Sequence, residues 1–420
     1  MHSHDEPGVV IIGAGPAGML LAYLLVTNGV PVHVLERHAD FKREFRGEGI
    51  QPSVMHALEE LGFLPQLLKM GIATPAHEAV IYMDDRPVVT LGGLDGLTDD
   101  FGLILFQEGF LDFLHQQCSA YPHYRLDMGF NVTDVVMERG AVVGVRGRND
   151  GRDTLILGDF FVTTTGRNSA LRKRVGLETQ TLETAFNIYW LRFDAPDDPA
   201  LIPNGFRAYL GEDSVFIMYR TYDHRIQVAW GKRWGDSAAF RDFETLRDHL
   251  IREIPAPYRP MILAQFNEDT ERQLLKVACD RLERWHVPGM LFLGDAAHTM
   301  SPVAGQGINL AMRDSIVAAN HLITAHRSRQ PFNAELCERI EQERRPEIEA
   351  MQSFQIMLGR LMLGAPRWQS RLVFHHLMPL LSFTGVRQRY IRRVQGGVTD
   401  VRLQYPVTMA PAAAPDPEPA

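Results

Sequence analysis

Cysteine is scarce in this chain. Cys118, Cys279 and Cys337 are its three, far apart and without a CxxC pair. That excludes a disulfide framework and a zinc site built on paired thiolates, and it fits a reduced, cytoplasmic chain. Long apolar runs are lacking too: nowhere do about 18 apolar residues follow one another, so no integral membrane segment is expected. The opening MHSHDEPG has no apolar signal region. There is no excess of basic residues. The net charge is −8 with both signs mixed along the chain, so nothing favours nucleic acid as a partner. There are no internal repeats, and the tail APAAAPDPEPA has no means of burying itself.

What is present is apolar bulk and order. Of the 420 residues 45% are hydrophobic, enough for two or three domains or one large two-lobed enzyme. VVII (residues 9–12) reads as a buried strand, GAGPAG as a turn, MLLAYLLVTNG as a helix closed by glycine, and VPVHVLE as a second strand. Together they make a βαβ unit. Residues 52–72 and 103–120 read as helices, residues 124–148 as a β-meander, and FFVTTTG as a strand ending in a glycine turn. From about 180 to 275 aromatic-rich strands with polar turns predict a separate antiparallel sheet. GMLFLGDA returns to the parallel-strand style, and 313–395 is mostly helical and arginine-rich.

Gly13, Gly15 and Gly18 form GxGxxG between strand and helix. The first glycine permits the tight turn, the second lets backbone approach a pyrophosphate, and the third allows helix and strand to pack closely. The helix N-terminus adds free N–H groups and a positive dipole end. Glu36 closes the second strand, 18 residues after Gly18. Its carboxylate suits a ribose 2′-OH and repels a 2′-phosphate, which points to NAD or FAD. The polar excursion RHADFKREFRGEGIQPS, with Arg43 and Arg46, suits a bulky cofactor lying extended. Arg46 is a candidate phosphate contact, and a solvated basic loop is the alternative.

These pieces together resemble the class A flavoprotein monooxygenases, the para-hydroxybenzoate hydroxylase-like family. The likeness rests on VVIIGAGPAGMLLAYLL…VHVLER, FRGEGIQPS, LFQEGFLDFL and, most specifically, LFLGDAAHTMSPVAGQGINLAMRDS, and it covers about residues 8–340. It implies an α/β fold: a Rossmann-like FAD-binding domain of the glutathione-reductase type, an antiparallel β-sheet substrate domain, and C-terminal helices. The expected division is 1–75, 101–178 and 279–345 for FAD, 76–100 and 179–278 for substrate, 346–404 for the C-terminal helices, and a disordered tail at 405–420.

The resemblance also implies roles. Ile12, Gly13, Gly15, Pro16, Ala17, Gly18, Glu36 and Arg37 would hold the ADP half of FAD, and Arg46 would lie near flavin and phosphates. Gln107 would contact the ribityl and phosphate region, with Phe110 in place of the leucine of Q-x-x-L. Gly294 and Asp295 form the GD motif, where Asp295 bonds a ribityl hydroxyl. Pro302 would wall the flavin ring, and the backbone around Gly305, Gly307, Ile308 and Asn309 would face its pyrimidine edge. Pro302 and Arg46 are the expected catalytic residues. A helix N-terminus aimed at the flavin stabilises the negative charge of its reduced form.

Two departures from the family pattern stand out. Thr165 replaces the aspartate of GADGxxSxxR, while Gly166, Ser169 and Arg172 remain. Ala304 stands where relatives often have glycine, and is tolerable unless φ is positive. His298 is expected to structure the turn rather than act as a base, and His224 to lie in an exposed hairpin turn. On the sheet, Tyr189, Arg192, Tyr219, Arg220 and Tyr222 are candidate substrate contacts, aromatics for stacking and arginines for an anionic group. Residues 354–395 pair apolar faces with seven arginines. A packed helical cap is favoured there over a lid or a peripheral membrane helix.

The implied activity is hydroxylation of an aromatic or polyketide-like small molecule with O2, through a flavin C4a-hydroperoxide. NADPH or NADH is the transient donor, since only one dinucleotide fingerprint is present. The alternatives are an FAD-dependent epoxidase or dehydrogenase of an alkene or isoprenoid, and a flavin-binding protein with impaired reduction at Thr165. A flavin halogenase is disfavoured because no WxWxIP-type segment occurs.

Overall fold

In the computed structural model the described residues are 8–42, 49–92, 101–149, 151–167, 169–182, 186–196, 202, 204–233, 242–379, 395–397 and 399–405. Arg46 and the tail from 406 onward lie outside them.

The short β-branched runs form the expected parallel sheet. Its order is His286–Val287, Met290–Phe292, Phe160–Thr163, Val9–Ile12, Val32–Leu35, Tyr124–Asp127. Only the His286–Val287 edge pairs antiparallel to its neighbour, Met290–Phe292. Val9–Ile12 is buried at every position, as a central strand covered on both faces must be. The helix Pro16–Val26 starts with proline at its first position, and every residue from Ala17 to Val26 is buried. It is apolar all round because neighbours enclose it, chiefly Gly307–Arg327 and Gln107–Ser119.

Three local expectations give way to finer structure. Residues 52–72 are two helices, Pro52–Glu60 and Leu64–Lys69, because Gly62 between them takes φ +69. Residues 103–120 divide into a strand Gly102–Leu105 and a helix Gln107–Ser119. The meander is Asn131–Glu138, Ala141–Asn149 and Arg152–Leu157, whereas Tyr124–Asp127 joins the parallel sheet.

The second large sheet has seven strands, in the order Arg272–Leu275, Asn187–Asp194, Arg225–Lys232, Ser214–Arg220, Gly205–Leu210, Glu78–Met83, Arg86–Leu91. It is antiparallel except where Gly205–Leu210 runs parallel to Glu78–Met83. Its two faces pack differently. One buries Tyr189, Leu191, Phe216, Met218 and Trp230 against Leu246, Leu250 and Ile262, which come from helices Phe243–Glu253 and Arg259–Gln265. The other presents Ile188, Trp190, Tyr219 and Ala229 to Val303, Leu363 and Phe374. The helix Ala334–Gly359 runs unbroken through the 345/346 division, with Pro346 inside it.

The C-terminal helices dock on this sheet. Arg367 donates to the Leu210 carbonyl at 2.9 Å and pairs with Asp84, as Arg371 and His375 also do. The guanidinium of Arg371 foremost among these holds the Asp84 carboxyl well below the usual carboxylate range, against its slight burial. Among the described residues no helix is long and apolar enough to cross a membrane.

Candidate functional site

The GxGxxG turn sits where the Val9–Ile12 strand enters the Pro16–Val26 helix. Gly13 takes φ +107, and a Cβ there would lie 2.8 Å from the Thr164 carbonyl oxygen. A Cβ at Gly18 would lie 2.0 Å from the Gly13 carbonyl oxygen, whereas one at Gly15 meets nothing within 4 Å. Two glycines are therefore required by the protein's own packing, and the third faces open space. Ile12 and Ala17 are buried beside them. Glu36, 5% exposed, accepts from the Ala14 N–H at 2.7 Å and the His38 N–H at 3.0 Å. It braces the turn. Arg37 is exposed and donates to His38 at 3.1 Å.

The Phe160–Thr163 strand ends against this turn. Thr164 Oγ1 donates to the Gly13 carbonyl at 2.7 Å; this contact was not foreseen, and a lone threonine carries no signal for it. Thr165 Oγ1 donates to Ser169 Oγ at 2.7 Å and lies 3.2 Å from Thr163 Oγ1. The hydroxyl thus sustains a polar chain at the departed position without a charge. Gly166 has φ +80, and a Cβ there would meet nothing within 4 Å. Arg172 reaches across to donate to the carbonyls of Ala296 at 2.7 Å and Asp295 at 2.6 Å, and pairs with Asp280 at 3.2 Å.

That guanidinium clamps the second glycine-rich turn. Gly294, at φ +57, donates its N–H to Asp314 at 3.0 Å. A Cβ on it would lie 2.9 Å from that of Ala311. Asp295 is half-buried at the turn. Past half-exposed Pro302, Val303 enters the sheet-facing core. Ala304 is left-handed, φ +61 and ψ +12, so the condition attached to alanine here is the unfavourable one. Gly305 follows at φ +60 in open space, and nothing but the Met300 Cβ, at 4.0 Å, comes near a Cβ placed on Gly307.

The helix Gly307–Arg327 then begins, with Ile308 half-buried in its first turn. The side chain of Asn309 is wholly occupied: it accepts from the Gln51 N–H at 2.8 Å and donates to the Gly49 carbonyl at 2.9 Å and the Gly305 carbonyl at 3.0 Å. Only backbone is left there to face a ligand. Gln51 also holds the Ala304 carbonyl at 3.1 Å. Gln107 is half-buried at the first position of its helix, and Phe110 is in the core.

His298 is a buried partner of Asp314, at 2.6 Å, with both side chains almost wholly enclosed. Asp314 also binds Arg344 at 2.8 Å, and Arg344 and Arg313 share Glu347. Burial alone would raise the Asp314 carboxyl, but His298 and Arg344 outweigh it and hold it low. Burial pushes Arg313 down to about 10 against the attraction of Glu347. Breaking a buried pair of this kind costs about 3–5 kcal/mol. His298 is thus spoken for structurally.

On the seven-stranded sheet, alternation separates the five candidates. Arg192 and Tyr219 lie on the face that meets Val303. Arg192 donates to Gln227 at 3.2 Å, and the Tyr219 ring is 5.0 Å from that of Phe206. Tyr189 and Arg220 have the opposite parity, toward the helices. Tyr189 packs 6.2 Å from the Trp230 ring beneath the helices, and Arg220 donates to the carbonyls of Ile202 at 2.7 Å and Pro196 at 3.2 Å. A one-residue step along a strand reverses the face. Tyr222 stacks on Phe106 at 3.7 Å, just before Gln107. His224 sits exposed in a turn with φ +58.

With this geometry in view, the comparisons agree. Residues 6–355 match the family described as FAD binding domain. The chain belongs to that family. It is 27% identical over 401 residues to the 6-methylpretetramide 4-monooxygenase of Streptomyces rimosus, covering 94% of both chains. It is 26% identical over 323 residues to squalene epoxidase 3 of Arabidopsis thaliana, covering 75% of this chain and 60% of that one. Its fold matches the p-nitrophenol 4-monooxygenase PnpA of Pseudomonas putida DLL-E4 with a TM-score of 0.76 at 16% identity, over 94% of this chain and 99% of that one. The cofactor of the family is FAD, and the chain is an FAD-dependent oxidoreductase. The open positions at Gly15, Gly166, Gly305 and Gly307, beside packed Gly13 and Gly18, fit an extended dinucleotide.

Proposed function

We propose that this chain is a monooxygenase that takes electrons from NADPH or NADH and inserts one atom of O2 into an aromatic or polyketide-like molecule. In balance, substrate C–H, O2, NAD(P)H and a proton become substrate C–OH, water and NAD(P)+. The observation that carries the reading is the position of Val303: one residue after Pro302, it packs in the same cluster as Trp190, Tyr219 and Ala229 of the sheet. The flavin-facing turn and the aromatic sheet face therefore share one wall.

Bound FAD supplies the redox chemistry, passing electrons from the nicotinamide to oxygen. The chain's own residues do the rest. Backbone at Gly13–Ala17 and Glu36 hold the ADP half, with Gln107, Thr165 and Asp295 along the extended middle. The N-terminus of the Gly307–Arg327 helix, at Gly307 to Asn309, offers free N–H groups to negative charge at the ring's edge. Pro302 forms an apolar wall, and the clustered sheet face excludes water. In this reading 1–75, 101–178 and 279–345 bind FAD, and 76–100 and 179–278 bind substrate. The C-terminal helices cap the substrate face through Leu363 and Phe374.

The test is to load the purified protein with FAD and screen aromatic and polyketide compounds for stimulated NAD(P)H oxidation, with product and hydrogen peroxide both measured. Stimulation matched by product supports the reading. Oxidation yielding only peroxide with every compound overturns it, and turnover confined to squalene would favour an epoxidase instead.

A further inference from the structure

The family match ends at residue 355, yet beyond it the chain returns to the flavin side. Residues 396–397 and 399–405 lie along the helix Gly307–Arg327. Arg313 donates to the carbonyls of Gly396, at 3.3 Å, and Thr399. Buried Asn320 donates to the Arg402 carbonyl at 2.8 Å and accepts from the Gln404 N–H at 3.0 Å. The Tyr405 hydroxyl lies 2.7 Å from that of Thr324, and Arg327 sits 4.5 Å over the Tyr405 ring. Positions 313, 320, 324 and 327 fall on one stripe of a 3.6-residue helix, so the segment is a strap laid along a single face. Gly397 has φ +90, and a Cβ there would run into the Arg313 guanidinium. The strap's backbone is pressed against that charge.

The near end of the strap completes a buried charge network. Arg313, Asp314, Arg344 and Glu347 are almost wholly enclosed, two guanidiniums against two carboxylates. Thr399 supplies a hydroxyl between them: Oγ1 accepts from Arg344 Nη1 at 3.2 Å and donates to Glu347 at 3.2 Å. A hydroxyl can do both at once, and a methyl group can do neither. Arg344 donates in turn to Asp314 at 2.8 Å, and Asp314 accepts from the Gly294 N–H at 3.0 Å. An unbroken chain of hydrogen bonds thus leads from Thr399 to the second glycine-rich turn. In a dry interior the members of such a chain polarise one another, and an unpaired member is costly.

We infer that the C-terminal strap sets the flavin-binding turn, with Thr399 a positioning residue that acts through Arg344 and Asp314 on Gly294. This rests on the reading that the Gly294–Asn309 turn faces FAD. It assigns part of cofactor retention to a segment beyond the family match. The two ends of the strap differ in consequence. Thr399 is wired to the turn, whereas Tyr405 touches the helix at its far end. A strap that merely covers the helix would make both ends alike.

The experiment uses the full chain with Thr399→Val, Thr399→Ser and Tyr405→Phe. FAD affinity is read from flavin fluorescence, and local opening from hydrogen exchange of the 290–299 backbone in FAD-free protein. Thr399→Val is expected to weaken FAD binding about tenfold and to speed exchange at 290–299. Thr399→Ser, which keeps the hydroxyl, should restore affinity to within about twofold. Tyr405→Phe should leave both readouts near wild type. The inference is overturned if Thr399→Val keeps wild-type affinity, if serine does not rescue, or if Tyr405→Phe weakens binding equally. Exchange at 290–299 that is unchanged in Thr399→Val overturns it as well. Asp295→Ala checks the underlying reading. If it leaves FAD affinity unchanged, the placement of the turn against FAD fails, and the inference with it. If Asp295→Ala weakens binding and Thr399→Val does not, only the strap's role fails.

Discussion

The two glycine-rich turns of the flavin side reach similar shapes by different means. At Gly13–Gly18 the constraint is steric: an added Cβ meets backbone, that of Thr164 at 2.8 Å from Gly13 and that of Gly13 at 2.0 Å from Gly18. At Gly294–Asn309 the constraint is a set of remote side chains. Asp314 holds the Gly294 N–H, Arg172 the carbonyls of Asp295 and Ala296, Gln51 that of Ala304, and Asn309 that of Gly305. The first turn is set by close backbone packing, with Thr164 and Glu36 against it. The second is assembled by residues spread from Gln51 to Asp314, and it tolerates an alanine in a left-handed conformation because those bonds over-determine it.

The contrast can be broken most severely at Gly18. Gly18→Ala should yield no folded, flavin-loaded protein, because neither the Gly13 carbonyl nor the helix can retreat. Gly15→Ala, whose Cβ meets nothing within 4 Å, should fold normally and lose FAD affinity instead. Flavin content per chain and circular dichroism separate the two, and equal behaviour would contradict the steric account.

Next in size is Asp314→Asn, which removes one of the two carboxylates paired with Arg344 and the charged partner of His298. A loss of about 3–5 kcal/mol in denaturant unfolding is expected, with weakened FAD retention. The pH dependence follows from the lowered carboxyl of Asp314. A depressed carboxyl contributes stability above its unfolded value near pH ~3.9, and loses it as pH falls below that toward the folded value. Flavin release on acidification should therefore set in below about pH 4, and the Asp314→Asn variant should show a flatter acid limb. An unchanged limb would remove Asp314 from the account.

Smaller effects sharpen the second turn. Ala304→Gly relieves the left-handed alanine, worth about 1 kcal/mol, partly offset by the freer unfolded chain. A modest rise in thermal midpoint is expected, and a fall would mean that the methyl group makes a packing contribution. Smallest is Thr165→Asp. The new carboxylate can accept from Thr163 and Ser169, so stability should change by less than about 0.5 kcal/mol. Anaerobic flavin reduction by NADPH or NADH should then shift only slightly. A large change in that rate would give the missing charge a regulatory role.

Legibility followed the range of the cause. GxGxxG, Glu36 at the strand end and the GD turn were readable because each is a short-range requirement of a tight turn or a helix N-terminus. The helical break at Gly62 and the strand ahead of Gln107 were not resolved, since short apolar runs do not distinguish strand from helix. The sheet candidates divided by a parity that aromatic richness does not reveal. Tyr189 and Trp190 are adjacent in the chain and face opposite layers. Nothing local marked Thr399, Thr164 or Asp314, whose importance lies entirely in partners far along the chain.

The amino-acid order alone therefore determined the βαβ opening, the dinucleotide turn, the family and the cofactor class, because these depend on contacts among near neighbours. The tertiary structure decided which face of the seven-stranded sheet meets Val303 and which side chains are consumed in bracing the second turn. Those outcomes depend on pairing register and on packing between distant segments, where a shift of a single residue exchanges core for site.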